Sequence, residues 1–276
     1  MEWIILLIVG LIAGTIGSIV GLGGGIIVVP MLLTLGSYFS AFDDVSPQVA
    51  VGTSLLVVIF TGLSSTLTYM KYKKVDYKSG LIFFIGSGPG GIIGAYVNKF
   101  FNTSSFSLWF GLFMIFISII LMVRDKLPKA KERPGKKVVR TYFGEEGEEL
   151  TYAYRPILGI VIAFVVGFIS GLFGIGGGAL MVPAMVLLFM FPPHIAVATS
   201  MFIIFLSSAT GSITHIALGN IDWLFAAILV PGAWFGGKFG ALINTKLKGK
   251  TIITLLRIVL IIVGLKLIYE GLTGLT

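Results

Sequence analysis

Apolar residues along the 276-residue chain gather into eight long stretches: Trp3–Leu35, Val49–Met70, Gly80–Val97, Phe106–Val123, Ile157–Phe191, Ile195–Leu218, Trp223–Ile243 and Ile252–Tyr269. About 20 consecutive apolar residues cross a bilayer as a helix, so six of the stretches predict one transmembrane helix each. The first and fifth are too long for one plain span, and glycines interrupt both at the same relative place. Arg124–Arg155 breaks the pattern, with nine Lys/Arg and six Asp/Glu in 32 residues and with Pro128, Pro134 and Gly135 among them. It reads as an aqueous linker with disorder among its options. The organisation predicted is a transmembrane repeat over residues 1–123, a charged linker over 124–155 and a second repeat over 156–276.

The two sides of the linker resemble each other. Gly21-Leu-Gly-Gly-Gly25-Ile-Ile-Val-Val-Pro30 returns 153 positions later as Gly174-Ile-Gly-Gly-Gly178-Ala-Leu-Met-Val-Pro183. Pro47-Gln48-Val-Ala-Val-Gly-Thr53-Ser54 returns 146 positions later as Pro193-His194-Ile-Ala-Val-Ala-Thr199-Ser200. The shorter register then holds through Asp76 with Asp222 and Asn98 with Asn244. An internally duplicated membrane chain is the mark of a transporter.

Loop charge decides how the halves are oriented. If each long stretch were one kinked span, the halves would be parallel and the best assignment would leave thirteen loop cations inside and four outside. If each Gly-rich stretch is instead a helical hairpin, the second half is inverted, and sixteen loop cations lie on the cytoplasmic side against Lys99 alone. The positive-inside rule prefers the hairpins. Arm lengths agree, because Trp3–Ile19 and Ile157–Phe173 each make about 25 Å of helix and the returning arms, Ile26–Leu35 and Ala179–Phe191, are shorter. The fold expected is therefore an all-α polytopic membrane protein of two inverted repeats, each a Gly-broken helical hairpin followed by three transmembrane helices. Both termini are expected outside a cell membrane, in a bacterium or archaeon the inner one, with the linker cytoplasmic. Met1-Glu2-Trp3 lacks the basic start of a signal peptide, so the N-terminus is expected to remain.

Composition narrows the chemistry. The chain is 56% hydrophobic and 12% charged, half the charge of a soluble domain, which leaves too little for a water-facing surface. Its net charge of +8 is spent on topology, so nucleic acid is not an expected partner. Without cysteine there is no thiolate metal site and no cysteine nucleophile. The His, Asp and Glu present never fall at metal spacing and no Ser-His-Asp arrangement is readable, so no catalytic residue, metal or cofactor is expected.

Binding is a different matter. Ile26 and Ala179 would each open a helix, pointing free N–H groups and a positive dipole end back at a glycine turn that has no side chain in the way. That makes Gly23, Gly24 and Gly25 with Gly176, Gly177 and Gly178 two backbone-built half-sites for an anion. Close helix packing alone also accounts for bilayer glycine, but duplication of the whole G-x-G-G-G-x4-P string favours a site. It is no phosphate loop, since no Gly-Lys-Ser/Thr follows, and Ile26 and Ala179 spoil G-x-G-x-x-G. Thr53, Ser54, Thr199 and Ser200, with Gln48 and His194 upstream, could donate to an oxyanion without a fixed charge; for Ser and Thr the competing role is bonding to helix carbonyls. Thr68, Thr214 and His215 form a weaker polar group. Asp76 and Asp222 fit N-caps. Lys238 is an isolated cation within a span, with Ile92 as its counterpart, while Arg257 and Lys266 fit snorkelling cations.

The paired strings, G-x-x-x-G-x-G-G-G-x4-P followed by A-x-x-T-S, resemble the TauE/SafE family of membrane permeases over residues 10–100 and 163–245. The resemblance implies transport of sulfite, organosulfonates or related sulfur oxyanions, commonly as export. The expected activity is thus secondary transport by alternating access, with a small sulfur oxyanion and the lipid bilayer as partners and with a homo-oligomer and a coupling proton or ion left open. An anion channel or a permease for a different small anion is the alternative, and a membrane-embedded enzyme or scaffold ranks last.

Overall fold

A computed structural model of the chain describes residues 2–35, 45–100, 103–123, 138–143, 149–176 and 180–273. Repeat 1 comprises α1 (Glu2–Val20), α2 (Gly25–Leu35), α3 (Pro47–Lys71), α4 (Tyr77–Asn98) and α5 (Thr103–Val123). Repeat 2 comprises α6 (Pro156–Phe173), α7 (Met181–Leu188), α8 (Pro193–Ala217), α9 (Trp223–Lys246) and α10 (Gly249–Thr273). Among the described residues, seven helices are long and apolar enough to cross a membrane. The short helices α2 and α7 are the returning arms, and at about 1.5 Å per residue neither crosses by itself.

Local chemistry sets the boundaries. Proline at the first helical position starts α3, α6 and α8, where its missing N–H costs nothing. Asp76 and Asp222 cap α4 and α9 as expected, accepting from the N–H of Ser79 (3.1 Å) and Phe225 (2.9 Å). The arm expected over Ala179–Phe191 is shorter than its sequence. Helix α7 opens at Met181 rather than Ala179, which lies outside the described residues, and it ends at Leu188. Left-handed Met190 (φ 59°) and the pair Pro192-Pro193 stop it there.

The repeats interlock. Helix α1 packs along α9, and α4 along α6, so the first helix of each repeat lies on a helix of the other. Both pairs run parallel: a Cβ placed on Gly86, Gly90 or Gly94 would overlap the carbonyl oxygen of Ile160, Phe164 or Phe168 in that order. Gly232, Gly236 and Gly240 meet the carbonyls of Leu7, Leu11 and Thr15 in the same way. This is small-residue packing, in which backbones touch because lipid offers no hydrophobic drive. The equivalent helices α3 and α8 instead run antiparallel, with Gly52 against Asn220, Leu55 against Gly211 and Gly62 against Phe205. Repeat-related helices that oppose each other make the repeats inverted.

Part of the segment read as an aqueous linker, with disorder among its options, is ordered. Val138–Phe143 (β1) and Glu149–Tyr154 (β2) form an antiparallel hairpin with Arg140 opposite Tyr152. Its charge obscured a short alternation: Tyr152 and Tyr154 are buried, and their rings pack against Phe83, Phe189 and Phe191. Residues 124–137 and 144–148 of the linker lie outside the described residues. Lys266 also differs from a snorkelling cation, since it donates to Thr34 Oγ1 (2.9 Å) and pairs with Glu270 (3.4 Å).

Candidate functional site

Each hairpin turns on glycines held where other residues pay in strain. Gly21, Gly23 and Gly24 have φ of 80°, 76° and 92°, and Gly174 and Gly176 repeat the first two at 75° and 88°. The turns are alike in bonding too. Leu22 and Gly23 N–H both donate to Gly17 O (2.8 and 3.3 Å), as Gly174 and Ile175 N–H do to Ser170 O (2.8 and 3.3 Å). Gly177 and Gly178 lie outside the described residues.

The turns meet at mid-length of the central pair α3 and α8. A Cβ on Gly23 would stand 3.0 Å from both Val58 and Ile204, and one on Gly176 would stand 2.8 Å from Val58 and 2.9 Å from Ser208 Oγ. Gly25 abuts the carbonyl of Gly174. None of these residues carries charge, so the local field comes from the backbone. The bonds that close α2 begin with Ile27 and Val28 N–H donating to Gly24 O (2.9 and 3.1 Å), which leaves Gly25 and Ile26 N–H ahead of them at the positive end of the helix.

Each turn is clamped by the opposite repeat. Ser54 Oγ donates to Gly174 O (3.0 Å), and Ser200 Oγ donates to Gly21 O (2.9 Å). The neighbouring threonines accept: Thr53 Oγ1 from Asp222 N–H and Thr199 Oγ1 from Asp76 N–H, both at 3.0 Å. All four side chains are fully buried. The structure therefore brings Gly23, Gly25, Ser54, Gly176 and Ser200 to the two turns, with Gly24 behind them against Ala13 O (2.7 Å from its Cβ position). It does not bring Gln48 or His194 there. They stand ten residues before Val58 and Ile204, about 15 Å along the helix, where Gln48 Nε2 donates to Asn98 O (3.0 Å) and His194 Nδ1 lies 3.3 Å from Asn244 Oδ1. The asparagines tie these ends to the hairpins, Asn98 through Leu172 O (2.7 Å) and Asn244 through Ile19 O (2.6 Å). Lys238 is exposed on α9. Thr68 and Thr214 bond back to the carbonyls of Ser64 (2.9 Å) and Thr210 (3.1 Å), and His215 Nδ1 lies 3.3 Å from Asn220 Nδ2.

Sequence reasoning missed four serines. The hydroxyls of Ser87 on α4, Ser170 on α6 and Ser208 and Ser212 on α8 are buried without a hydrogen-bond partner among the described residues. The same junction has room: a Cβ on Gly91 would find only Gly167 O and Ser207 O, both at 3.8 Å. The inverted counterpart is closed, since Gly237 would press on Thr61 O at 2.9 Å. Buried orphan hydroxyls are uncommon and call for a ligand or water to satisfy them. Their counterparts in the other repeat are Ala233, Gly17, Gly62 and Thr66, so three of the four have no hydroxyl twin. The available signal was the one-turn spacing of Ser208 and Ser212 on an apolar helix.

Residues 6–267 match the family described as sulfite exporter TauE/SafE. The chain is 64% identical to the probable membrane transporter protein YunE of Bacillus subtilis (strain 168) over 275 residues, covering 98% of this chain and 99% of that one. It is 30% identical to a probable membrane transporter protein of Methanocaldococcus jannaschii, covering 95% and 93% of the two chains, and 27% identical to the probable membrane transporter protein YjnA of B. subtilis, covering 95% and 98%. No solved structure matches the chain significantly. A match across nearly the whole length, joined to inverted repeats and seven membrane-length helices, places this multi-pass membrane transporter in the TauE/SafE family.

Proposed function

We propose that the protein is a secondary carrier for a small sulfur oxyanion, sulfite or a short sulfonate such as sulfoacetate, which it exports by alternating access. The observation that carries this reading is the meeting of two inverted glycine turns at the middle of α3 and α8, next to buried hydroxyls that lack partners among the described residues. Backbone N–H groups at the start of α2 and the serines Ser87, Ser170, Ser208 and Ser212 supply donors without a fixed cation. An anion bound that way is held by dipoles and can leave again. Gly23, Gly24 and Gly25 with Gly176, Gly177 and Gly178 are the two half-sites of this reading, and in the closed arrangement Gly23, Gly25 and Gly176 are packed against Val58, Gly174 O and Ile204, so the anion reaches them only when a clamp lets go. Thr53, Ser54, Thr199 and Ser200 act as clamps that exchange partners, while Gln48 and His194 hold the helix ends.

The clamps suggest the moving parts. Ser54 lies one turn from Val58 toward the start of α3, and Ser200 one turn from Ile204 toward the start of α8. Because these helices are antiparallel, the clamps close the centre from opposite sides. Releasing Ser54 from Gly174 opens one side and releasing Ser200 from Gly21 opens the other. Loop charge orients the whole, with the linker cytoplasmic and both termini outside.

Proteoliposome flux of sulfite and sulfoacetate tests the reading. No flux of either, with or without a proton gradient, would sink it, and flux without counterflow would make the protein a channel. Single reactive cysteines at Ser40 and the N-terminus should label from the same, outer face.

A further inference from the structure

Each repeat ties the last turn of its central helix to its own hairpin. In repeat 1, Tyr69 OH on α3 donates to the carbonyl of Ser18 on α1 (2.9 Å). The twin of Tyr69, 146 positions on, is His215 of α8, and the twin of Ser18, 153 positions on, is Gly171 of α6. There the imidazole meets the backbone carbonyl of Gly171, although Nε2 falls short of full hydrogen-bond geometry with anything among the described residues. Nδ1 lies 3.3 Å from Asn220 Nδ2. That amide nitrogen only donates, so Nδ1 accepts and the ring is neutral. One repeat thus has a phenol where the other has a group that can take up a proton.

His215 stands where an anion would leave. With Ser208 and Ser212 it falls on one face of α8, at i, i+4 and i+7, and all three are buried. Ser208 begins that face at the repeat 2 turn, with Oγ 2.9 Å from the Cβ position of Gly176. His215 ends it beside the start of α3, where a Cβ on Gly52 would press on Asn220 O and stand 3.0 Å from His215 Cβ. Thr53 and Ser54 come next, holding Asp222 N–H and Gly174 O at 3.0 Å each, so His215 is on the side that release of Ser54 opens. The turns of α3 and α6 that face it, residues 47–55 and 167–173, contain no ionisable residue, and neither does α7. At this end of α4, Tyr96 and Lys99 are exposed, and Asp222 caps Phe225 (2.9 Å). The hairpin of α1 and the start of α10 reach α8 at its other end, through Gly21 against Val197 and Gly249 against Pro193.

We propose, on the reading that an anion passes the glycine turns, that His215 takes a proton when this side opens and there serves, as imidazolium, as the anion's cationic ligand. In the closed junction a second ring proton would set two donors, Nδ1–H and Asn220 Nδ2, against each other and bury a charge, so the closed state keeps the ring neutral. Once Ser54 lets Gly174 go, water reaches the ring and it can take a proton in the ordinary histidine range. The imidazolium then follows Ser208 and Ser212 as the next ligand of an outgoing oxyanion, through a charge-assisted hydrogen bond. Its charge exists only while the side is open, so no permanent cation traps the anion. Tyr69 offers the other side no such ligand. The proton therefore acts on one side of the carrier, the outer one by loop charge.

Val58→Cys puts the sole cysteine of the full-length chain at the turns, and its labelling from the side toward the start of α3 tests this without any substrate. Dividing the rate at each pH by that of Val58→Cys/His215→Gln cancels the thiol's own titration. The ratio should rise about tenfold from about pH 8 to about pH 5.5, the latter about one unit below the ordinary histidine value. His215→Tyr, which restores the twin's side chain, should behave as His215→Gln does and guards against misfolding of that variant. Asn220→Asp lets the closed junction hold an imidazolium and should remove the rise, which a merely structural histidine does not explain. In proteoliposomes the KM for sulfoacetate on that side should fall several-fold over the same range in wild type and stay level in His215→Gln; its carboxyl and its more acidic sulfonate both remain ionised there. The proposal is overturned by a flat ratio, by a rise that survives Asn220→Asp, or by a KM with the same pH course in both proteins. A rising ratio without sulfoacetate flux upholds the proton site and defeats the sulfonate reading instead.

Discussion

Replacing Gly23 with Ala, beside the control Gly219→Ala, separates a blocked passage from a strained backbone. Both glycines are left-handed, at φ 76° and 73°. Alanine there costs about 1–2 kcal/mol, of which about 0.4–1 is offset by the reduced freedom of the unfolded chain, so each variant should lose about 1 kcal/mol of stability. Beyond that they part. A Cβ at Gly219 meets nothing within 4 Å, whereas one at Gly23 stands 3.0 Å from both Val58 and Ile204. Making room needs both branched side chains to leave their rotamers, at about 0.5–1.5 kcal/mol each, and the methyl occupies the space between the turns. In proteoliposomes Gly219→Ala should therefore keep wild-type sulfite flux, while Gly23→Ala loses about tenfold or more, a barrier of about 1.4 kcal/mol. Melting in detergent should fall by a few degrees in Gly219→Ala, at about 1 kcal/mol, and further in Gly23→Ala, which carries the added rotamer cost. Equal flux in the two variants would refute the reasoning, whichever way they moved together.

Ser54→Ala and Ser200→Ala should each cost about 1–3 kcal/mol, because a buried carbonyl loses its donor. A cysteine at Val58 should then label faster from the side toward the start of α3 in the first variant and from the opposite side in the second, and labelling from one face in both would contradict antiparallel clamps. Ser208→Ala and Ser87→Ala remove hydroxyls that bond nothing among the described residues, so melting should hold or rise while the KM for sulfite rises several-fold, and an unchanged KM would leave these serines without a role in binding. Burial, and after it the Asp76 carboxylate, raise the Tyr152 and Tyr154 hydroxyls above the ordinary tyrosine range. A raised folded value stabilises below the unfolded value of about 10 and is lost as pH climbs through the folded one. Wild-type melting should therefore drop above about pH 10 more steeply than that of the Tyr152→Phe/Tyr154→Phe variant, and parallel slopes would mean that the hairpin is not docked through these rings.

What the sequence made legible follows the physics of each signal. Lipid requires spanning helices to be apolar on every face and to satisfy their own backbone, so span number, hairpins and inversion could be read from runs, glycines and loop charge. Asp76 and Asp222 were equally plain, since capping is local. Partners were not. The spacings Gly86-x3-Gly90-x3-Gly94 and Gly232-x3-Gly236-x3-Gly240 announce close packing, yet only three dimensions show that each presses on the other repeat's first helix. Hydroxyls were harder still, because a serine poised for a ligand and one bonded to a distant carbonyl look alike in one dimension. Ser54 and Ser200 stood out through duplication and turn out to bind Gly174 and Gly21, carbonyls 120 and 179 positions away. Ser87, Ser170 and Ser208 have no hydroxyl twin, and among the described residues they bond nothing beside a Gly91 that has room around it. Duplication thus marks the residues that hold inverted halves together, because a two-fold interface needs each contact twice. A bound anion has no such need, since it occupies one place at a time and its ligands can differ between the repeats, so the unpaired positions are where its specificity should be sought.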